Sequence, residues 1–410
     1  MRSFLSKIPH PTVIVTSGLL LSLCWHKILT PIKRYPFNTF LFRPEDKYND
    51  FFNFWIQCRS LNPYLSVDPT PTRPYFPFAY LFNRLFMFEG PWFSFYVYFG
   101  LCTLIIIILA FMILRKLGYL KVWPWYVVTL ILSYPYIMVV DRGNPEISIL
   151  LFLLVYIYHY IWSSRTIAVV SLAFVIAMKL TPLLFLVLYI KDKRYKEALY
   201  VALLALVLSI GSLWFLSIVN PSTTLHDHFT AMLKNQFLFT KHYGMGTEGM
   251  IFNHSLFSMI KYFTLPELGN LQIIPFSSIV KYYNIFIVFF VSIVIGTIIY
   301  KRPATKIVIT LIVCLMLVSP HASGDYKLIN IYLPLLFWVS NFTRLTQSAI
   351  ISILLSLIII PKSYYHNHIL EEASSTVFIT PTLLMISITI LLFNQFIERS
   401  RPDDRAIGSI

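Results

Sequence analysis

The chain has 410 residues, 57% of them hydrophobic and only 12% charged, with a formal net charge of +15 and a mean hydropathy of +0.70. A soluble domain carries about 25% charged residues, so the composition excludes a water-solvated globule and makes lipid the main solvent. The positive balance follows the enrichment of Lys and Arg in the cytoplasmic loops of membrane proteins and calls for no nucleic acid partner.

Charge placement sets the predicted topology, with Arg2 and Lys7 holding the N-terminus in the cytoplasm. The apolar run from Thr12 to Thr30 is long for a signal-peptide core and lacks a small-residue cleavage site, so it predicts a retained span. A long outer loop, 31–91, follows. Helices are expected at about 92–114, 122–140 and 146–163, turning at Arg115, Lys116 and Lys121, then at Asp141, then at Arg165. Residues 166–190 begin and end beside basic residues and are interrupted at Pro182. They predict a hairpin of two short helices with Lys179-Leu180-Thr181-Pro182 at its outer tip, a geometry tolerated at membrane depth only where it is buried or lines a wet cavity. A span at 197–219 leads into a second outer loop, 220–278. The helices of 279–396 are expected at 279–300, 305–319, 327–341, 348–361 and 375–396, before a cytoplasmic tail, 397–410.

The expected architecture is one polytopic membrane domain, 1–410, all-α, with about 10–12 transmembrane helices and both termini in the cytoplasm. The two outer loops carry helices resting on the membrane surface, around Asn53-Phe54-Trp55 and Asn253-His254-Ser255-Leu256-Phe257. The four cysteines, Cys24, Cys58, Cys102 and Cys314, form no CxxC and no metal spacing, which points away from a disulfide framework or a zinc site.

This topology gathers the chemically capable residues on the outer face. Asp46 and Asp50 follow the first span among aromatic residues, where a partly desolvated carboxylate suits a general base. Asp141, Arg142, Gly143, Asn144 and Glu146 crowd one boundary turn. Arg142 offers a fork of donors for phosphate, and Gly143 permits close backbone approach. Lys179 places an ammonium in an apolar run, at about 2.5–3.5 kcal/mol on insertion scales. The segment Ser319 to Lys327 adds His321, Asp325, Tyr326 and Lys327, and the second loop adds Asn253 and His254. Plainer roles compete for each: a solvated loop charge, an interfacial cap, a snorkelling lysine, a polar turn. His226-x-His228 lacks a convincing third ligand, so no metal is expected.

In order, Asp50-Phe51, Pro63-Tyr64, Tyr75-Phe76-Pro77, Arg142-Gly143-Asn144, Lys179 to Pro182, Asn253-His254-Ser255-Leu256 and Ser319-Pro320-His321 with Tyr326 form a recognisable series. It resembles the polytopic GT-C glycosyltransferases, and within them the family-87 polyprenyl-phosphate-mannose-dependent mannosyltransferase-like proteins. The resemblance implies transfer of a sugar, mannose by the family name, from a polyprenyl phosphate to a hydroxyl of a glycolipid or polysaccharide acceptor. It implies inversion, a site at the periplasmic or extracellular face of the plasma membrane, and membrane lipid as the surrounding partner. Asp50 takes the role of general base, His321 that of its orienter or a phosphate contact, and Arg142, Lys179 and Lys327 that of the donor-phosphate ligands; no cofactor is implied. Two other classes fit the residues: a lipid or glycolipid transporter or flippase, for which a broken helix and an intramembrane lysine are usual, and an O-antigen polymerase or ligase. The absence of an internal repeat and the one-sided clustering favour the enzyme.

Overall fold

The computed structural model describes residues 10–33, 48–60, 62–64, 75–220, 222–246, 252–264, 275–339, 347–362 and 376–397. Asp46, Glu248 and most of the tail 397–410 lie outside the described residues. In chain order the helices are α1 (His10–Lys33), α2 (Asn49–Arg59), α3 (Pro77–Arg84), α4 (Pro91–Lys116), α5 (Trp123–Leu132), α6 (Tyr134–Arg142), α7 (Glu146–Trp162), α8 (Arg165–Met178), α9 (Leu186–Lys191), α10 (Tyr195–Val219), α11 (Leu225–Phe239), α12 (Leu256–Thr264), α13 (Phe276–Lys301), α14 (Thr305–Val318), α15 (Tyr332–Leu335), α16 (Gln347–Ile358) and α17 (Thr376–Ile397). Short 3-10 turns at Leu120–Val122, Thr181–Phe185 and Asp325–Ile331 and a π-helical turn at Thr240–Met245 complete the path. No strand occurs among the described residues, apart from one isolated bridge between Asn253 and Gly324.

Among the described residues, four helices are long and apolar enough to cross a membrane: α4, α10, α13 and α17, with α5 and α6 a fifth if the bent pair counts as one span. The outward faces of α10 and α13 are apolar: Leu199, Leu206, Val207 and Trp214, and Ile285, Val288 and Phe289, are all about half exposed or more. Surfaces so apolar are satisfied by lipid, not water. This is an all-α integral membrane protein. At the centre stands α14, in which every residue from Ile307 to Val318 is buried. Its 14 residues reach about 21 Å, short of the roughly 30 Å hydrocarbon core. It is surrounded by protein and delivers the segment after Val318 to the site.

Three departures from regular helix position the functional residues. The expected helix 122–140 breaks at Ser133, where α5 and α6 meet at 51°. Pro135 falls in the first turn of α6, where its missing N–H is not needed, whereas a continuous helix would lose a bond there. The Tyr134 N–H freed by the break donates to the Ile359 carbonyl at 3.1 Å. The expected helix 327–341 is instead the 3-10 turn Asp325–Ile331 running into the four-residue α15. Pro334 there removes the donor that would have met the Asn330 carbonyl in a continuing helix.

The third departure is the return of the chain after α8. Lys179 meets Glu146 at the start of α7, whereas the Tyr160 hydroxyl, near the other end of α7, donates to the Leu188 carbonyl at 3.0 Å and to Asp192 at 2.5 Å. Residues 146 and 160 stand about 21 Å apart along a helix. The segment therefore climbs as α8 to Lys179 and descends through Thr181–Phe185 and α9. Pro182 opens the descent, in a position where it interrupts no helical hydrogen bond.

Candidate functional site

The motif residues contact one another at the Glu146 end of α7. Asp50 lies in the first turn of α2 and is 8% exposed. Its Oδ1 accepts from Arg142 Nη2 at 3.2 Å and its Oδ2 from Asn144 Nδ2 at 3.0 Å. Two donors from one turn thus fix the carboxylate on both oxygens. The approach depends on Gly143, which has φ 68°: a Cβ there would lie 2.3 Å from Phe51 Cβ and 3.0 Å from Phe51 N. The Tyr48 N–H also donates to the Asp141 carbonyl at 2.7 Å, pinning the entrance of α2 to the end of α6.

The aromatic motifs of the first loop support the same turn. Tyr64 donates to the Tyr75 carbonyl at 2.9 Å, and the Tyr75 hydroxyl reaches Asn144 Oδ1 at 3.4 Å. That oxygen also accepts from the Glu146 N–H at 3.1 Å, which fixes the Asn144 amide with its nitrogen toward Asp50. Next in the chain, the Phe76 N–H donates to the Met178 carbonyl at 3.3 Å, so Tyr75-Phe76-Pro77 docks beside Lys179.

Lys179 ends α8 in extended conformation, with its ammonium 2.5 Å from Glu146 Oε2. The other Glu146 oxygen accepts from Asn330 Nδ2 at 2.9 Å. Glu146 is 2% exposed, and a carboxylate so buried requires such partners. Lys327 donates to the Ala322 carbonyl at 2.9 Å and lies within electrostatic range of Lys179 and Glu146. Two lysines thus stand around one buried carboxylate, and Lys179 forms the ion pair with it.

The remaining two motifs interlock. Asn253 Oδ1 accepts from the Ser255 N–H at 3.0 Å and the Ser323 N–H at 2.9 Å. His254 joins Asp325 Oδ1 through Nδ1 at 3.1 Å and Ser323 Oγ through Nε2 at 3.0 Å. Burial, the dominant influence, holds the imidazole below its ordinary pKa despite the neighbouring carboxylate. Asp325, fully buried, also accepts from the Tyr134 hydroxyl at 3.1 Å and from Thr376 at 3.2 Å. Ser255 donates to the His321 carbonyl at 3.0 Å. The Tyr326 ring packs over Gly324, where a Cβ would lie 2.6 Å from its edge.

His321 is half-buried, with its ring edge-on to Phe257 at 4.9 Å and to Tyr283 at 5.4 Å. Its Nε2 is buried and has no hydrogen-bond partner among the described residues. Burial, and secondarily Lys261, hold this imidazole below its ordinary pKa. No hydrogen bond joins His321 to Asp50 among the described residues; Arg142 and Asn144 orient that carboxylate.

One polar chain therefore runs from Asp50 through Asn144 to Glu146, which holds Lys179 and Asn330, and a second joins Asp325 to His254 and Ser323. Asn330, Tyr134, Thr376 and Lys261 are structural findings that sequence reasoning missed. Asn330 had a local signal, a lone amide in Leu328-Ile329-Asn330-Ile331. Thr376 had none, because its partner lies 51 residues away. Elsewhere, Asp227 is a helix cap: it accepts from the Thr224 N–H at 2.8 Å while Thr224 Oγ1 accepts from the Asp227 N–H at 3.2 Å. His228 turns to Thr223 at 2.8 Å and stands apart from His226 in its bonding.

Fold and polar clusters together define a multi-pass α-helical membrane protein with a buried polar site. The model of glycosyltransferase family 87 matches residues 74–320, more than half of the chain, and the chain belongs to that family. It is a membrane glycosyltransferase. The matched span contains Tyr75, the Arg142–Glu146 turn, Lys179 and the Asn253 motif; Asp50 precedes it and His321 follows directly. No curated protein and no solved structure matches the chain.

Proposed function

We propose that the protein transfers a sugar, mannose or another hexose, from a polyprenyl phosphate to a hydroxyl of a glycolipid or glycan at the outer membrane face, with inversion and on a GT-C plan. The observation that carries this reading is the Asp50 carboxylate, buried yet held at both oxygens by Arg142 and Asn144. Asp50 is the general base. It takes the acceptor hydroxyl proton as the new bond to the anomeric carbon forms. The bond from that carbon to the phosphate oxygen breaks, and the polyprenyl phosphate leaves with the electron pair. Lys179 and Lys327 serve as hydrogen-bond donors to the departing phosphate, whose growing charge favours their protonated forms. Arg142 holds the base and contacts the donor phosphate. The unpartnered Nε2 of His321 serves as a further substrate contact.

The test is transfer by purified protein in detergent from a panel of radiolabelled polyprenyl-phosphate sugars to a membrane lipid extract. Wild type transfers from at least one donor, and folded Asp50→Asn loses about a hundredfold or more, the scale of a general base. Full activity in folded Asp50→Asn refutes the assignment of the base. Transfer from nucleotide sugars alone refutes the lipid donor.

A further inference from the structure

Two basic turns meet at the end of the bundle opposite the polar site. One follows α9, with Lys191, Asp192, Lys193 and Arg194; the other follows α13, with Lys301 and Arg302. Lys191 Nζ joins them, reaching the Pro303 carbonyl and the Thr305 hydroxyl at 3.4 Å each. Part of the charge here is internally matched. Lys191 faces Asp192 at 3.2 Å, and Glu197 takes Arg194 at 3.1 Å and Arg165 at 3.8 Å. Lys193, Lys196 and Arg302 are exposed, and among the described residues none of them has an ion pair.

The backbone adds a second observation. Lys193 at φ 58° and Arg302 at φ 48° are two of the three non-glycine residues with positive φ among the described residues. Each comes just after a helix, the position where Gly or Asn is usual because a Cβ is strained there. Both turns thus carry a long cation at a position that disfavours any side chain of this kind, and strain retained in this way marks function. The cations also border hydrocarbon-facing surface: Leu199 and Leu203 lie one and two turns into α10, and Tyr300, 69% exposed, ends the apolar face of α13.

We propose that the turns 191–196 and 301–306 form a binding site for the phosphate headgroup of an anionic phospholipid of the surrounding bilayer. Lys193 and Arg302 are its main ligands, and the acyl chains lie against the exposed apolar face of α13. A cation near an anionic membrane surface contributes enough that losing two weakens binding by about thirtyfold. Bound there, the lipid ties the base of the α8–α9 hairpin to the α13–α14 turn.

The test is thermal unfolding of the purified full-length chain in neutral detergent, titrated with phosphatidylglycerol, phosphatidylcholine or inorganic phosphate. Phosphatidylglycerol raises the midpoint at a concentration at least about tenfold below that needed for phosphatidylcholine, and inorganic phosphate leaves it unchanged. The Lys193→Gly/Arg302→Gly variant relieves both strained positions, so without lipid its midpoint equals or exceeds that of wild type. Its apparent affinity for phosphatidylglycerol falls about thirtyfold. The Asn pair at the same positions, also suited to positive φ, repeats this result if the glycine pair folds poorly. Equal shifts from both lipids, a shift reproduced by phosphate, or an undiminished phosphatidylglycerol response in the variants overturns the proposal.

Discussion

Gly143→Ala tests how the site is assembled without touching a charged group. A methyl at position 143 would lie 2.3 Å from Phe51 Cβ, 3.0 Å from Phe51 N and 3.1 Å from Phe51 Cα. Carbon atoms pack at about 3.5–4.0 Å, so α2 must retreat by more than about 1 Å. Two of the three close atoms belong to backbone, which rules out a simple side-chain rotation. The backbone at 143 also has φ 68°, worth roughly 1–2 kcal/mol of strain for alanine. With about 1–3 kcal/mol for overpacking, the substitution destabilises by about 2–5 kcal/mol. The retreat carries Asp50 away from Asn144 and Arg142, and a misplacement of about 1 Å lowers the rate about a hundredfold. The assay pairs thermal unfolding with sugar transfer, on Gly143→Ala, Asp50→Asn and the double variant. Because both changes remove the same placed carboxylate, the double variant is expected to lose little more activity than Asp50→Asn alone. Wild-type stability and rate in Gly143→Ala would refute the close docking of α2 on the Arg142–Asn144 turn.

Four further outcomes follow from the geometry. Asp325→Ala removes a buried acceptor for His254, Tyr134 and Thr376, so it lowers stability by about 3–5 kcal/mol, read as loss of folded protein in size-exclusion chromatography; a stable variant with reduced kcat would instead make Asp325 chemical. Glu146→Ala leaves the Lys179 ammonium without its carboxylate and destabilises by a similar roughly 3–5 kcal/mol, whereas Glu146→Gln with Lys179→Met recovers part of that loss in thermal unfolding. Lys261 on α12 is pushed down to about 8 by burial. Between that value and its ordinary 10.5 the unfolded chain binds more protons, so stability rises with pH across this window by about 3 kcal/mol, and the rise disappears from the difference curve with Lys261→Met. Thr224→Ala removes the cap of α11 at a loss of about 1 kcal/mol, measurable as a lower unfolding midpoint with transfer activity retained.

The sequence by itself determined the class of solvent and of fold. Hydropathy is a local property, and runs such as Leu104–Leu114 or the apolar stretch after Ala198 leave no choice but a helix in lipid. It also pointed to Arg142-Gly143-Asn144, Lys179 and the Asn253 motif, because charge at a membrane boundary is expensive enough to be visible without coordinates. The tertiary structure decided how these residues pair. Asp50 and Asp325 look alike in sequence, each a carboxylate in a polar stretch near aromatic residues. One meets a guanidinium and an amide of the Arg142–Asn144 turn, and the other is enclosed by His254, Tyr134 and Thr376. The bend at Ser133 and the 3-10 path at Asp325–Ile331 also emerged only in three dimensions. A proline permits either a kink within a span or a new start, and the choice rests on whether a distant carbonyl, here that of Ile359, accepts the freed N–H. Helix formation is written in neighbouring residues, whereas the pairing of buried charge depends on contacts up to 191 residues apart and is fixed only when the helices pack.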